Sequence, residues 1–109
     1  MADTNGSLED YGGGMQASAY VLRLFIIGAS PNSIRAVENL NAICEQYIPG
    51  QYELEIIDVH QQPELAQGED LIALPLLIKK APGIVRRLIG DMSNKEKVLK
   101  GLGLADIDI

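Results

Sequence analysis

The sequence predicts a mixed α/β domain, one sheet flanked by helices, and three observations carry that prediction. A β-rich apolar run over 20–27 is followed, after a glycine, by a stretch with apolar residues every three to four positions, and then by a second β-rich run over 52–59. A strand, an amphipathic helix and a strand in that order form a parallel βαβ unit, because parallel neighbours need a crossover connection. Two further apolar segments, 72–78 and 84–92, are short and punctuated by Pro and Gly, and a capped apolar stripe closes the chain. At 109 residues the chain has the length of one domain.

Residues 1–19, with Gly6, Gly12, Gly13 and Gly14 among scattered Ser and Thr, have no apolar period and predict a disordered arm. They also lack Lys, Arg and an apolar core, so no signal peptide is expected there. The run 20–27 carries one charge, Arg23, which is the pattern of a central strand buried on both faces. Gly28 ends it. Ser30 supplies an N-cap hydroxyl, and Pro31 stands at the first helical position, where a missing N–H leaves nothing unpaired. Ile34, Val37, Leu40, Ile43 and Tyr47 then stripe a helix over 31–47, which Pro49 and Gly50 stop.

The run 52–59 alternates before turning wholly apolar, so it predicts a strand with one more exposed end. Residues 61–66 allow one helical turn opening at Pro63. The segment 72–78 is strand-like except for Pro75, which has no N–H for a ladder and belongs at a strand start, bulge or edge. Residues 79–83 predict a turn around Pro82 and Gly83. Two readings stand for 84–92. It pairs as a strand with 76–80, or it coils with Ile84, Val85, Leu88, Ile89 and Met92 on one helical face. Ser93 through Glu96 reads as a capping box, Val98, Leu99 and Leu102 supply a helical stripe, and Gly101 and Gly103 stop it. The order β-α-β-(α)-β-β-α is thioredoxin-like, with the domain expected over 20–105 and a short acidic tail over 106–109.

Nine Lys and Arg against fifteen Asp and Glu give a net charge of −6. Residues 36–78 hold eight acids and no base, whereas 79–100 hold seven bases against Asp91 and Glu96. The acidic total argues against general nucleic-acid binding, and no apolar run is long enough to span a membrane. Asymmetric charge steers association. Arg35, on the outward side of the first helix, and Arg86 and Arg87 are therefore expected in a docking surface for an acidic protein partner. A single cysteine excludes an internal disulfide and fits a reducing cytoplasm.

Catalytic chemistry finds little support. Thioredoxin-like oxidoreductases place Cys-x-x-Cys at the turn after the first strand, where a helix N-terminus lowers a thiol pKa. That turn here reads Ser30-Pro31-Asn32-Ser33, and a serine hydroxyl forms no exchangeable disulfide. Cys44 falls near the far end of the helix, where the dipole opposes a thiolate, and reads as a packing residue. The residues 28–33 lack the glycine and lysine pattern of a phosphate loop and read as a helix cap. His60 is the sole histidine and reads as a turn residue, so no Ser-His-Asp pairing follows. Asp58, at a strand end, reads as a structural acid. No metal-ligand spacing occurs. The expectation is a chain without catalytic residues, metal or cofactor.

The strings 28–36 (Gly-Ala-Ser-Pro-Asn-Ser-Ile-Arg-Ala), 57–59 (Ile-Asp-Val), 63–66 (Pro-Glu-Leu-Ala) and 85–99 (Val-Arg-Arg-Leu-Ile-Gly-Asp-Met-Ser-Asn-Lys-Glu-Lys-Val-Leu) resemble the KaiB family of circadian-clock proteins. The resemblance runs without gaps over about 20–102. It implies a non-enzymatic protein that docks on the ATPase ring of the clock protein KaiC and helps sequester KaiA. It also implies a metamorphic chain, whose family members rest in a tetrameric fold and bind partners in a monomeric thioredoxin-like one, so a homo-oligomer (dimer or tetramer) is the expected resting form. Tyr20, Arg35, Arg86 and Arg87 match the family pattern and are the expected partner-binding residues; Pro75, Gly101 and Gly103 are the expected structural or fold-switch positions. Glu55 stands where cyanobacterial clock members usually carry lysine, Leu74 replaces a threonine, and Gly103 replaces an aspartate. These departures count against the KaiA contact and suggest a divergent member. The alternative reading is a stress-response or signalling adaptor of the same family that is not coupled to a clock ATPase; a thiol-redox protein is the disfavoured third.

Overall fold

Among the described residues seven elements follow one another: β1 (Tyr20–Ile26), α1 (Pro31–Tyr47), β2 (Tyr52–Asp58), α2 (Pro63–Ala66), β3 (Leu76–Ala81), β4 (Arg86–Ile89) and α3 (Lys95–Leu102). They come from a computed structural model that describes residues 19–69 and 73–104. Most of the arm expected over 1–19 and the tail expected over 106–109 lie outside the described residues, as does Ile72 at the start of the expected third strand.

The four strands form one sheet in the order β2-β1-β3-β4. β1 runs parallel to β2 and antiparallel to β3, and β3 runs antiparallel to β4. The central position of β1 explains its apolar composition: Leu22, Leu24 and Phe25 are fully buried. Alternation along the strands builds two cores. On one face, Leu22, Leu24 and Leu77 meet Leu40, Ile43 and Cys44 of α1 and Val98, Leu99 and Leu102 of α3. On the other, Phe25, Ile57, Leu76 and Ile78 are covered by Leu65 and Ala66 of α2 together with Val59 and Leu74. Where the short α2 no longer reaches, this second face turns polar, and Arg23 pairs with Glu55 at 3.1 Å.

The βαβ unit follows the sequence pattern. Ser30 caps α1 from an extended conformation and Pro31 opens it. The segment 84–92 resolves into the strand reading: residues 86–89 of β4 pair with residues 76–79 of β3, and no helix forms there.

Three local expectations shift. β3 starts at Leu76 rather than Ile72, because Pro75 cannot donate to the ladder; its carbonyl instead accepts from the Gly90 N–H at 3.0 Å. The peptide bonds before Pro75 and Pro82, at the two ends of β3, are cis. The cap of α3 is Asn94, not Ser93: its Oδ1 accepts from the Lys97 N–H at 3.1 Å, while the Ser93 N–H is taken by Asp91 Oδ1 at 3.0 Å. Gly101 does not end α3. It is buried inside the helix, where an added Cβ would stand 1.9 Å from Leu88 Cδ1, so its lack of a side chain lets α3 approach β4. Gly103 is the terminator, left-handed at φ 82° with its N–H returned to the Leu99 and Lys100 carbonyls.

Candidate partner-docking site

The turn after β1, where a dithiol would sit in an oxidoreductase, is closed upon itself. Ser30 Oγ donates to Ser33 Oγ at 2.8 Å, Ser33 N–H donates back to Ser30 Oγ at 3.3 Å, and the Ile27 N–H donates to Ser33 Oγ at 3.1 Å. Ser33 is buried. Two hydroxyls thus occupy the i, i+3 positions, and they knit the strand end to the helix start without a redox-active group. Cys44 is fully buried, and that burial, with the Glu45 carboxylate beside it, pushes its thiol up to about 11. Neither place can exchange disulfides at neutral pH.

The other candidates are structural as well. Asp58 Oδ1 accepts the His60 N–H at 2.9 Å, and this bond is the leading cause that holds its carboxyl below the usual range. Among the described residues no group of three or more His, Cys, Asp and Glu could hold a metal ion, and no described helix is long and apolar enough to cross a membrane.

The hairpin between β3 and β4, at the opposite end of the sheet, is built differently. Lys79 is almost fully buried beside Leu22, and its Nζ donates to the Pro82 carbonyl and, at 2.8 Å, to the Ile84 carbonyl. Burial, then the nearby Arg86 charge, lowers its pKa. With its backbone tied inward, the hairpin carries its side chains outward: Ile84 is 73% and Val85 53% exposed. Beside them opens a shallow cleft of about 280 Å³ lined by Tyr20, Lys79, Ile84, Arg86 and the Leu102–Gly103 end of α3.

Of the expected partner-binding residues, Tyr20 and Arg86 therefore share one cleft. Arg87 points to the other face of β4, by strand alternation, and meets Glu69 Oε1 at 3.4 Å; Glu69 also holds Lys80 at 3.0 Å. Arg35 is engaged elsewhere: its Nε meets Asp91 Oδ2 at 3.2 Å and its guanidinium also donates to Asn32. Asn39 donates to the Asp91 carbonyl at 2.9 Å, so Asp91 fastens the β4–α3 loop to α1. Its carboxyl is held below the usual range chiefly by hydrogen bonds from Ser93 and then by Arg35. Sequence reasoning missed Lys79, Ile84 and Val85. The available signal was two aliphatics directly after a Pro-Gly turn, where polar residues are the norm.

Comparison with known proteins places these features in a family. The KaiB domain family model matches residues 23–104. The circadian clock oscillator protein KaiB of Thermostichus vulcanus is 51% identical over 85 residues, covering 78% of this chain and 79% of the relative. Its counterpart from a Cyanothece strain is 49% identical, with 78% and 81% covered. Among solved structures, the N-terminal domain of Synechococcus elongatus SasA superposes with a TM-score of 0.59 at 25% identity, covering 91% of this chain and 93% of that one. Mitochondrial thioredoxin 3 of Saccharomyces cerevisiae reaches 0.64 at 17% identity, with 82% and 81% covered, a likeness of fold alone. The fold is thioredoxin-like, the turn where thioredoxins carry a dithiol holds two serines here, and half of the aligned positions match clock proteins: the chain belongs to the KaiB family.

Proposed function

We propose that this chain is a non-catalytic, cytoplasmic regulatory module that docks on a KaiC-type ATPase ring through the hairpin end of its sheet. The observation that carries the reading is the pairing of exposed aliphatics with a guanidinium on a rigid turn. Ile84 and Val85 offer apolar area, Arg86 offers a fork for carboxylates, and Lys79 holds the backbone in place. Tyr20 lines the same cleft and adds an aromatic surface with a polar tip, a residue type favoured at interfaces. Membership in a family whose relatives are named for the circadian clock supports the choice of partner. Arg35, held by Asp91 at the opposite end of the sheet, and Arg87, held by Glu69 on the other face of β4, are left outside that surface.

The test is gel filtration of the chain with and without an ATP-loaded KaiC-type ring. Co-elution is expected, weakened by raised salt and cut at least tenfold by Arg86→Glu. A folded chain that never co-elutes overturns this reading and leaves the adaptor reading in its place. KaiA, added to the same mixture, is expected to remain unbound, because Glu55 and its ion pair with Arg23 present an acidic-edged β2 where clock members usually carry a basic residue.

A further inference from the structure

The cleft at the hairpin end carries positive charge and holds no counter-ion among its walls. Lys79 and Arg86 are direct partners in the β3–β4 ladder, so two cations stand side by side on one face, which disfavours the pair. Among the described residues, Arg23, Arg35, Lys80 and Arg87 each meet a carboxylate within 3.4 Å, whereas Arg86 meets none. The residues that line the cleft include neither Asp nor Glu. The exposed Ile84 and Val85 add an apolar rim beside Arg86. An occupant with carboxylates next to an aromatic or aliphatic group answers both features.

The chain carries such a segment a short way upstream of the cleft. Leu8-Glu9-Asp10-Tyr11 sets two acids between an aliphatic and an aromatic residue, and residues 1–19 contain no Lys or Arg. Eight uncharged residues, 12–19, three of them glycine, join Tyr11 to Tyr20. Tyr20 is itself a wall of the cleft and the first residue of β1. At the scaling of Gly-rich chains, eight residues separate their ends by about 15 Å, which keeps Glu9 and Asp10 within reach of Arg86. So short a tether gives an effective concentration in the millimolar range, where a contact too weak to form between separate molecules is populated. The segment precedes residues 23–104, which match the KaiB family model, so it is no part of the shared domain. The stretch after Leu104 also carries two acids, Asp106 and Asp108, but it offers no aromatic residue.

We propose that residues 8–11 of this chain fold back into the hairpin cleft of the same molecule, Glu9 and Asp10 toward Arg86 and Tyr11 toward Ile84 and Val85. The segment then acts as a tethered competitor that a docking partner must displace. The contact itself is independent of any ATPase; the competition rests on the docking reading given above.

Methyl NMR of the full chain tests the contact. In Glu9→Gln/Asp10→Asn/Tyr11→Ala, the Ile84 and Val85 methyl resonances are expected to move, while those of Ile34, beside the first turn, stay in place. Raised salt should shift the wild type toward the variant, and dilution should leave its spectrum unchanged. With Arg86→Gln in the background, the same arm substitutions should move the two methyls much less, and far-UV circular dichroism verifies each fold. The arm variant is also expected to co-elute with an ATP-loaded KaiC-type ring about two- to fivefold more tightly than the wild type, because an occupied cleft lowers the fraction of competent molecules. Methyls at 84 and 85 that ignore the arm substitutions overturn the proposal. So does a spectrum that changes on dilution, which means a contact between molecules, or a response to Asp106→Asn/Asp108→Asn in place of the arm variant, which makes the C-terminal stretch the occupant. Shifts that move while ring affinity does not overturn the competition. If the shifts move and neither chain meets the ring, the docking reading falls and the contact within the chain is supported.

Discussion

The two ends of β1 solve opposite problems, each beside a tight turn. At the Ser30–Ser33 end, the hydroxyls, the Ile27 N–H and the helix N-terminus satisfy one another, and Ser33 is buried. At the hairpin end, only the backbone is satisfied from within, by Lys79, and the side chains of Ile84 and Val85 are left facing water. The thioredoxin fold supports chemistry at the first end when two thiols are there. This chain keeps the spacing, loses the thiols, and spends that turn on holding α1 to β1. The difference shows that a shared fold transmits geometry rather than activity.

Four experiments break or sharpen that contrast. The largest effect belongs to Ser33→Ala. It removes, at a buried position, the acceptor of the half-buried Ile27 N–H and the acceptor of Ser30 Oγ, and a donor left unpaired away from water costs about 1–3 kcal/mol. Chemical denaturation should show that loss while partner binding at the hairpin end persists. Equal loss of binding would mean that the two ends are coupled.

Of comparable size is Gly103→Asp, at the margin of the hairpin cleft. A side chain at φ 82° is strained by about 1–2 kcal/mol, and a carboxylate at a helix C-terminus adds roughly 0.3–1 kcal/mol. The thioredoxin-like fold described here should lose stability, with fraying of α3 visible in amide exchange of residues 95–102. Unchanged exchange would show that the left-handed cap contributes little.

A smaller effect is expected at Asp91. Its carboxyl titrates below the usual range in the folded chain, so the stability it contributes is present above the unfolded value and is lost as pH falls through the folded value. Asp91→Asn should flatten the acid limb of a thermal-stability profile and loosen the 90–93 loop from α1. Asp58, lowered in the same direction, will keep part of that limb in the variant.

The smallest expected effect is none at all. With its pKa raised to about 11 by burial and Glu45, Cys44 should stay unmodified by a thiol reagent at pH 8 until the chain unfolds. The chain should likewise fail to accelerate insulin disulfide reduction by dithiothreitol. Turnover that disappears in Cys44→Ala would reverse the assignment of Cys44 as a packing residue.

What the sequence by itself determined was whatever is decided within a turn or two of chain. The apolar run of β1, the Ser30–Pro31 start of α1 and its 3.6-residue stripe, and the serine pair in place of a dithiol are local facts, and the structure keeps all of them. The strings over 28–36 and 85–99 also sufficed to indicate the family. Tertiary structure decided the rest. Residues 84–92 place Ile84, Val85, Leu88, Ile89 and Met92 on one helical face and yet can pair with 76–80, and only the ladder to 76–79 selects the strand. The cap of α3 moved from Ser93 to Asn94 because Asp91 claims the Ser93 N–H. Gly101 looked like a stop because a glycine usually is one; the approach of Leu88 from another strand makes it a contact. Arg35 looked free because its partner, Asp91, lies 56 residues further along the chain. A periodicity names the face a residue can present, but its charge partner and the strand beside it come from segments that meet only when the sheet has formed, and that meeting determines which of the cations and aliphatics are left for another molecule.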